Sequence, residues 1–166
     1  MREALRSGRP INKILIAEGG QPGSLREIFS MAREGNIPVQ KAERRRLNKF
    51  VPETAHQGVV ALAAAREYVE VEDILASVKP GEAPLLILLD EINDPHNLGA
   101  ILRTADASGV HGVIIPRRRS APLTQVVAKS SAGAVEYVPV ARVANLAMTM
   151  EDLKKKGLWI DRKSVV

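Results

Sequence analysis

The residues best suited to bind a ligand follow the apolar run Leu85–Leu89, in a loop and predicted helix that carry Asn97, Gly99 and Arg103. Ligands of open α/β sheets gather at the carboxyl ends of strands, and this loop leaves such an end. Asn97 is a good helix N-cap, and Gly99 keeps the first helical turn thin enough for a ligand or another backbone to approach. The plainer alternative is that Asn97 only caps the helix and that Arg103 pairs with Asp106.

Several other kinds of chemistry are excluded by the motifs. Neither the dinucleotide fingerprint G-x-G-x-x-G after the Leu85 run nor the phosphate-binding loop G-x-x-x-x-G-K-[ST] is present. There is no cysteine, and the three histidines are too far apart in sequence to form a short metal-ligand pair, so no metal is expected. No nucleophile elbow surrounds a serine, and Ser130 and Ser131 are interpreted as helix-end residues.

Basic clusters point to a polyanionic partner. The 166-residue chain has a formal net charge of +5, and both halves share the excess. Aromatic residues make up only 3%, which argues against a base-stacking platform. Three clusters are candidate phosphate contacts, and the last is the weakest because lysines in a final helical turn already complement the helix dipole. They are Arg44, Arg45 and Arg46; Arg117, Arg118 and Arg119; and Lys154, Lys155 and Lys156.

The Pro/Gly-rich segment 79–84 predicts two domains, 1–79 and 80–166. In the first, short alternating elements predict a mixed sheet with helices around it. Ser24 and Glu27 have the spacing of a capping box that opens the clearest helix. The predicted helices are 3–7, 24–35, 43–50 and 71–78, and the predicted strands are 13–17, 37–39 and 58–64.

The second domain alternates strands and helices regularly, which predicts an open parallel α/β sheet with right-handed crossovers. The run 85–90 is expected to be a fully buried strand. Further strands are predicted at 112–116 and 135–140 and from 158, with helices at 97–108, 123–131 and 145–156. The longest apolar run is far too short to cross a membrane, and with no signal pattern or cysteine a cytoplasmic protein is expected.

The string from Asn97 to Ala105, preceded by Asp94-Pro95, closely resembles the first motif of the SpoU (TrmH-type) RNA ribose 2′-O-methyltransferases of the SPOUT superfamily. Segments 109–115 and 129–134 also match this family. The segments 3–5, 13–17 and 56–61 resemble the N-terminal RNA-binding domain of bacterial 23S rRNA guanosine methyltransferases. The resemblance therefore extends from residue 1 to about residue 160.

The resemblance implies transfer of a methyl group from S-adenosylmethionine to a ribose 2′-hydroxyl of RNA, with rRNA as the first expectation and tRNA as the second. Arg103 matches the family arginine implicated in activating the hydroxyl. Because arginine stays protonated, we assign it electrostatic support of a developing alkoxide or a phosphate clamp. Asn97 matches the family asparagine that would position Arg103 or the substrate. Family members are homodimers, so a homodimer is expected.

The sequence departs from the family after residue 160. Members continue with a glycine-rich loop and a proline-containing strand that form a trefoil knot and hold the cofactor, and residues 161–166 match neither. We therefore expect residues 1–157 to fold, the knot and the cofactor pocket to be missing, and a second copy to cover the remaining apolar face. Two alternatives stay open: a non-catalytic RNA-binding module and a generic doubly wound domain.

Overall fold

The computed structural model describes residues 2–19, 22–53, 56–64 and 66–161, and the chain divides into two compact units, Met1–Arg66 and Glu67–Val166. The helices are α1 (Arg2–Arg6), α2 (Pro22–Glu34), α3 (Arg44–Asn48), α4 (Val71–Ser77), α5 (Pro95–Ala107), α6 (Gln125–Ser130) and α7 (Leu146–Lys155). The strands are β1 (Ile11–Ala17), β2 (Val39–Ala42), β3 (Val59–Ala63), β4 (Leu86–Leu88), β5 (Gly112–Pro116) and β6 (Val140–Val143).

The first unit is built around β1, which lies between β2 and β3. The β1–β2 pairing is parallel and the β1–β3 pairing is antiparallel, so the predicted mixed sheet is confirmed. Both faces of β1 are covered, which explains its nearly unbroken apolar sequence. Ile14 and Ile16 pack with Ile28 of α2 on one face, while Leu15 packs with Leu47 of α3 on the other.

The second unit has a parallel sheet in the order β4-β5-β6, as the alternating elements predicted. The central strand β5 alternates between two clusters. Val113 packs with Leu102 of α5, and Ile114 packs with Ile74 of α4 and Leu153 of α7. The helices therefore cover both faces of an open sheet, which is the fold class expected from the sequence.

The predicted domain boundary after residue 79 is wrong, because α4 belongs to the second unit. Val71 and Ile74 are buried with Ile114 and Leu153. The fit is so close that a Cβ built on Gly112 would lie 2.6 Å from the Ile74 side chain. The Pro/Gly-rich segment 79–84 is thus a connection within the second unit, and the units divide after Arg66.

The predicted strand 135–140 is also wrong. Residues Ala134–Glu136 form a 3₁₀ turn, and pairing with β5 starts only at Val140. Gly133 begins this turn with a φ of 98°, a conformation that glycine adopts without strain. Val135 and Val138 are apolar because they pack beside α5, and not because they extend a strand.

Two further predicted strands are shorter or absent. The run 85–90 pairs only over Leu86–Leu88, which are half-buried, and Leu85 is 50% exposed. Leu158 and Ile160 pack against the cluster around Ile74 but are not assigned to a strand. The side chain of Ser24 and the residues after Asp161 lie outside the described residues, so neither the Ser24 cap nor the tail is described.

Candidate functional site

The N-terminal end of α5 follows β4 at the carboxyl end of the parallel sheet. Asp94 is its N-cap and accepts hydrogen bonds from the amides of His96 (3.2 Å) and Asn97 (3.1 Å). Pro95 suits the first helical position because that position needs no amide donor. The prediction that Asn97 is the N-cap is therefore wrong, and its exposed side chain lies in the first turn of the helix.

Gly99 lets α5 pack directly against the end of α6. A Cβ built there would overlap the Ser130 hydroxyl and lie 2.9 Å from the Ser131 amide nitrogen. Ser130 Oγ is within hydrogen-bond distance of the Pro95 carbonyl (3.3 Å) and of the Val126 carbonyl (2.9 Å). The thin face of the helix thus accommodates a neighbouring helix, and Ser130 and Ser131 are helix-end residues, as predicted.

Arg103 lies on the exposed side of α5. The alternative in which it pairs with Asp106 is not realised, since Arg103 makes no ion pair with any described residue. Six residues separate it from Asn97, which corresponds to about 9 Å along the axis and a third of a turn around it. The two side chains can therefore contact separate groups of an extended substrate.

The basic segment Arg117–Arg119 directly follows β5 at the same end of the sheet. Arg119 Nη1 lies 2.9 Å from Glu91 Oε1, and the Ala121 amide donates to the Ile92 carbonyl at 2.8 Å. These contacts tie the basic loop to the loop that precedes α5. The structure thus joins two predicted segments, and within the described residues the side chains of Arg117 and Arg118 are exposed and without an ion pair.

A further arginine at this end of the sheet, Arg142, was not predicted. Arg142 belongs to β6, its guanidinium lies 4.7 Å from the centroid of the Tyr68 ring, and its Nη2 donates to the Arg117 carbonyl at 2.8 Å. Arg117, Arg142, Tyr68 and Glu70 line a cavity of 260 Å³. The sequence signal for this residue was an arginine inside the apolar stretch 138–143. A strand predicted at its observed position would have placed Arg142 in the sheet.

The first unit carries the cluster Arg44–Arg46 on α3, which is anchored by the fully buried Leu47. Arg44 Nε lies 2.8 Å from Glu53 Oε1, so its charge is already paired. Arg45 and Arg46 are exposed and have no ion pair in the part of the chain that the structure describes. These two are therefore the members of the cluster best able to meet a phosphate.

The cluster at the end of α7 is engaged within the fold. Lys154 and Lys155 pair with acidic residues one turn earlier, at 2.8 and 3.0 Å. Lys156 Nζ lies 2.9 Å from Glu72 Oε1 on α4, and this hydrogen bond lowers the pKa of Glu72. All three ammonium groups thus have an acidic partner, in agreement with the low rank of this cluster among the phosphate contacts.

Two cavities among the described residues of the second unit do not fit S-adenosylmethionine. Their volumes are 260 and 160 Å³, below the roughly 300–1,000 Å³ typical of pockets for drug-sized ligands. The larger cavity is lined by two arginines, which would repel a sulfonium cation. Among the described residues there is no group of three metal-ligating side chains and no helix long and apolar enough to span a membrane.

Comparisons with known proteins agree with this arrangement. Residues 84–164 match the SpoU rRNA Methylase family, and residues 1–69 match the family described as RNA 2′-O ribose methyltransferase substrate binding. A protein of Bacillus subtilis (strain 168), whose name assigns it to the TrmH family of tRNA/rRNA methyltransferases, is 46% identical over 95% of this chain. A similarly named protein of Staphylococcus aureus (strain COL) is 52% identical over 96% of it. The chain spans 64% of the length of each relative.

Solved structures show the same fold. The SpoU methyltransferase AviRb from Streptomyces viridochromogenes, in complex with AdoMet, has a TM-score of 0.72 at 23% identity, over 94% of this chain and 55% of its own. An AdoMet-bound rRNA methyltransferase from Sinorhizobium meliloti has a TM-score of 0.66 at 24% identity, over 85% and 50%. With two family models that together span nearly the whole chain, and with relatives about half identical, the chain belongs to the SpoU (TrmH-type) methyltransferase family.

Proposed function

We propose that this chain provides the substrate-binding and hydroxyl-activating parts of an RNA ribose 2′-O-methyltransferase that uses S-adenosylmethionine. The observation that carries the proposal is Arg103, which is exposed on α5 and makes no ion pair with a described residue, within the stretch 84–164 that matches the SpoU rRNA Methylase family. The match of residues 1–69 to a substrate-binding model supports RNA as the partner. Ribosomal RNA, with 23S rRNA first, is the proposed target, and a homodimer is the proposed assembly.

The role of Arg103 follows from its chemistry. A ribose hydroxyl is a very weak acid, so removing its proton requires stabilisation of the alkoxide that forms. A guanidinium stays charged and presents several donors in a plane, which suits an alkoxide or a neighbouring phosphate better than it suits proton abstraction. Asn97, with one amide donor group and one carbonyl acceptor, can orient the ribose or its phosphate. S-adenosylmethionine would supply the methyl group, and neither of the two cavities fits it.

The experiment compares the affinity of the chain for an unmodified rRNA oligonucleotide and for the same sequence with 2′-O-methyl riboses. The wild-type chain is expected to prefer the unmodified RNA, because a site built around a hydroxyl is crowded by the added methyl group. Arg103→Ala is expected to lose that preference, and Arg103→Lys tests whether charge alone maintains it. Equal binding of both RNAs by the wild type would contradict the proposed role.

A second candidate function is RNA binding without catalysis by this chain. It is favoured by the poor fit of both cavities to the cofactor. Isothermal titration calorimetry with S-adenosylmethionine tests this second candidate. No binding at micromolar concentration is expected for the 166 residues, and tight binding would show that a cofactor pocket is present after all.

A further inference from the structure

We infer that the cavity beside Arg142 binds one phosphodiester group of the RNA backbone, an inference that rests on the proposed function. The cavity opens at the carboxyl end of the parallel sheet, where ligands of this fold class bind. Arg117 and Arg142 line it together with Tyr68, Val69 and Glu70. Its volume of 260 Å³ suits a small polar group better than a whole nucleotide cofactor.

The two arginines are held by backbone pairing. Arg142 is paired with Ile115 in the β5–β6 register, and the Arg117 amide donates to the Val143 carbonyl at 2.8 Å. On the other side of β6, the Val69 amide donates to the Val140 carbonyl at 3.0 Å. The floor of the cavity therefore consists of three adjacent backbone segments, so its geometry is set before a ligand arrives.

The Arg142 guanidinium is oriented by two contacts. It stacks 4.7 Å from the Tyr68 ring centroid, and Tyr68 is itself fixed because its hydroxyl accepts from the Leu123 amide at 3.1 Å. Nη2 is occupied by the Arg117 carbonyl, whereas Nε is buried and has no hydrogen-bond partner among the described residues. These contacts hold the guanidinium at the wall of the cavity, where its positive charge can attract an oxyanion.

The charge of the lining indicates the type of anion. Two arginines and Glu70 give a formal charge of +1. The position of Glu70 is fixed at the N-terminus of α4, since its amide donates to Asp73 Oδ2 at 3.2 Å and its backbone carbonyl accepts from the Asp73 amide at 3.2 Å. A phosphodiester carries one negative charge, which matches the lining, whereas the second charge of inorganic phosphate dianion would be repelled by the carboxylate. The cavity should therefore prefer a phosphate within a nucleic-acid chain to free phosphate.

The test is a nuclear magnetic resonance titration of the whole chain that follows the Arg142 Nε–H signal. The probe is the ribodinucleotide UpU, which contains one phosphodiester, and inorganic phosphate is titrated in parallel. Saturable movement with UpU is expected, with its loss in Arg117→Gln and its retention in Lys79→Gln, which removes an exposed charge outside the cavity. No movement, movement that survives Arg117→Gln, or equal movement with inorganic phosphate would each overturn the inference.

A second measurement distinguishes failure of the phosphodiester inference from failure of the proposed function. Arg117→Gln is expected to reduce the salt slope of affinity for a longer single-stranded RNA by about 0.7, the loss of one phosphate contact. If the RNA binds but the slope is unchanged, the phosphodiester inference fails and the proposed function stands. If UpU binds in the cavity but the longer RNA does not bind the chain, the cavity stands and the proposed function fails.

Discussion

Substituting Gly99 with alanine should destabilise the second unit, although alanine favours helices. A Cβ at position 99 would lie 2.8 Å from Ser130 Cβ and 2.9 Å from the Ser131 amide nitrogen, and closer still to the Ser130 hydroxyl. The hydroxyl can rotate away, but the amide nitrogen belongs to the backbone of a fully buried residue and cannot. Because this clash includes a backbone atom, overpacking should cost about 2–3 kcal/mol, the upper part of the usual range, against a gain of about 1 kcal/mol from helix propensity. The expected net loss is about 1–2 kcal/mol.

Urea and thermal denaturation monitored by circular dichroism would measure this loss. A net loss of this size should lower the melting temperature of the unit by roughly 4–16 °C. Adding Ser130→Gly removes the side-chain part of the clash and should recover part of the stability, whereas Ala100→Ser on the exposed side of α5 should change it by less than about 0.5 kcal/mol. If Gly99→Ala is as stable as the wild type or more stable, the contact between α5 and α6 is not as described.

Three further predictions concern caps and charges. Asp94→Ala should lower the free energy of unfolding, measured by urea denaturation, by about 1 kcal/mol because the carboxylate caps α5. Asn97→Ala should change it by less than about 0.5 kcal/mol. A larger loss in Asn97→Ala than in Asp94→Ala would instead support the predicted Asn97 cap. Replacing Arg117–Arg119 with alanine should weaken RNA binding and flatten its salt dependence, so an unchanged slope would remove these residues from the site. The pKa of Glu72 is lowered by its contact with Lys156. Their ion pair therefore stabilises the fold at pH values above the pKa of the unfolded carboxyl group, and this stabilisation is lost as pH falls through the lowered pKa of the folded state. Glu72→Gln should therefore reduce the slope of stability against pH in the acid range, by a small amount because the pair is exposed, and an identical slope would contradict this.

The order of the elements could be predicted because apolar runs and helix caps are local signals. Residues 14–17 of the predicted strand are buried in β1, and α7 starts after Asn145, whose side chain accepts from the Met148 amide at 3.1 Å. The alternation of strands and helices in the second unit was sufficient to predict parallel pairing. These features depend on residues that are close in sequence.

The errors come from contacts between distant residues. Val135 and Val138 have the composition of a strand, but they pack against α5 after the left-handed turn at Gly133. The Pro/Gly-rich segment 79–84 has the composition of a linker, but the burial of Ile74 against Ile114 keeps α4 in the second unit. The residues within either segment do not indicate which distant residues they will contact.

Candidate site residues could be proposed from the sequence, but their assembly could not. The motif around Arg103 could be recognised from sequence, whereas the N-cap was misassigned because Asp94 and Asn97 are both good capping residues and only Pro95 decides between them. The contact between Glu91 and Arg119 joins two loops 28 residues apart in sequence. The stacking of Arg142 on Tyr68 joins residues that are further apart still, so it required the structure.

The most direct test of the central claim, that this chain recognises the ribose of RNA, is its affinity for an rRNA oligonucleotide and for DNA of identical sequence, measured by fluorescence anisotropy over a range of salt concentrations. Both are expected to weaken as salt rises, because the exposed arginines contact phosphates in either polymer. RNA is expected to bind more tightly at every salt concentration, because only RNA presents the 2′-hydroxyl. Equal affinity for RNA and DNA across the range would contradict the account.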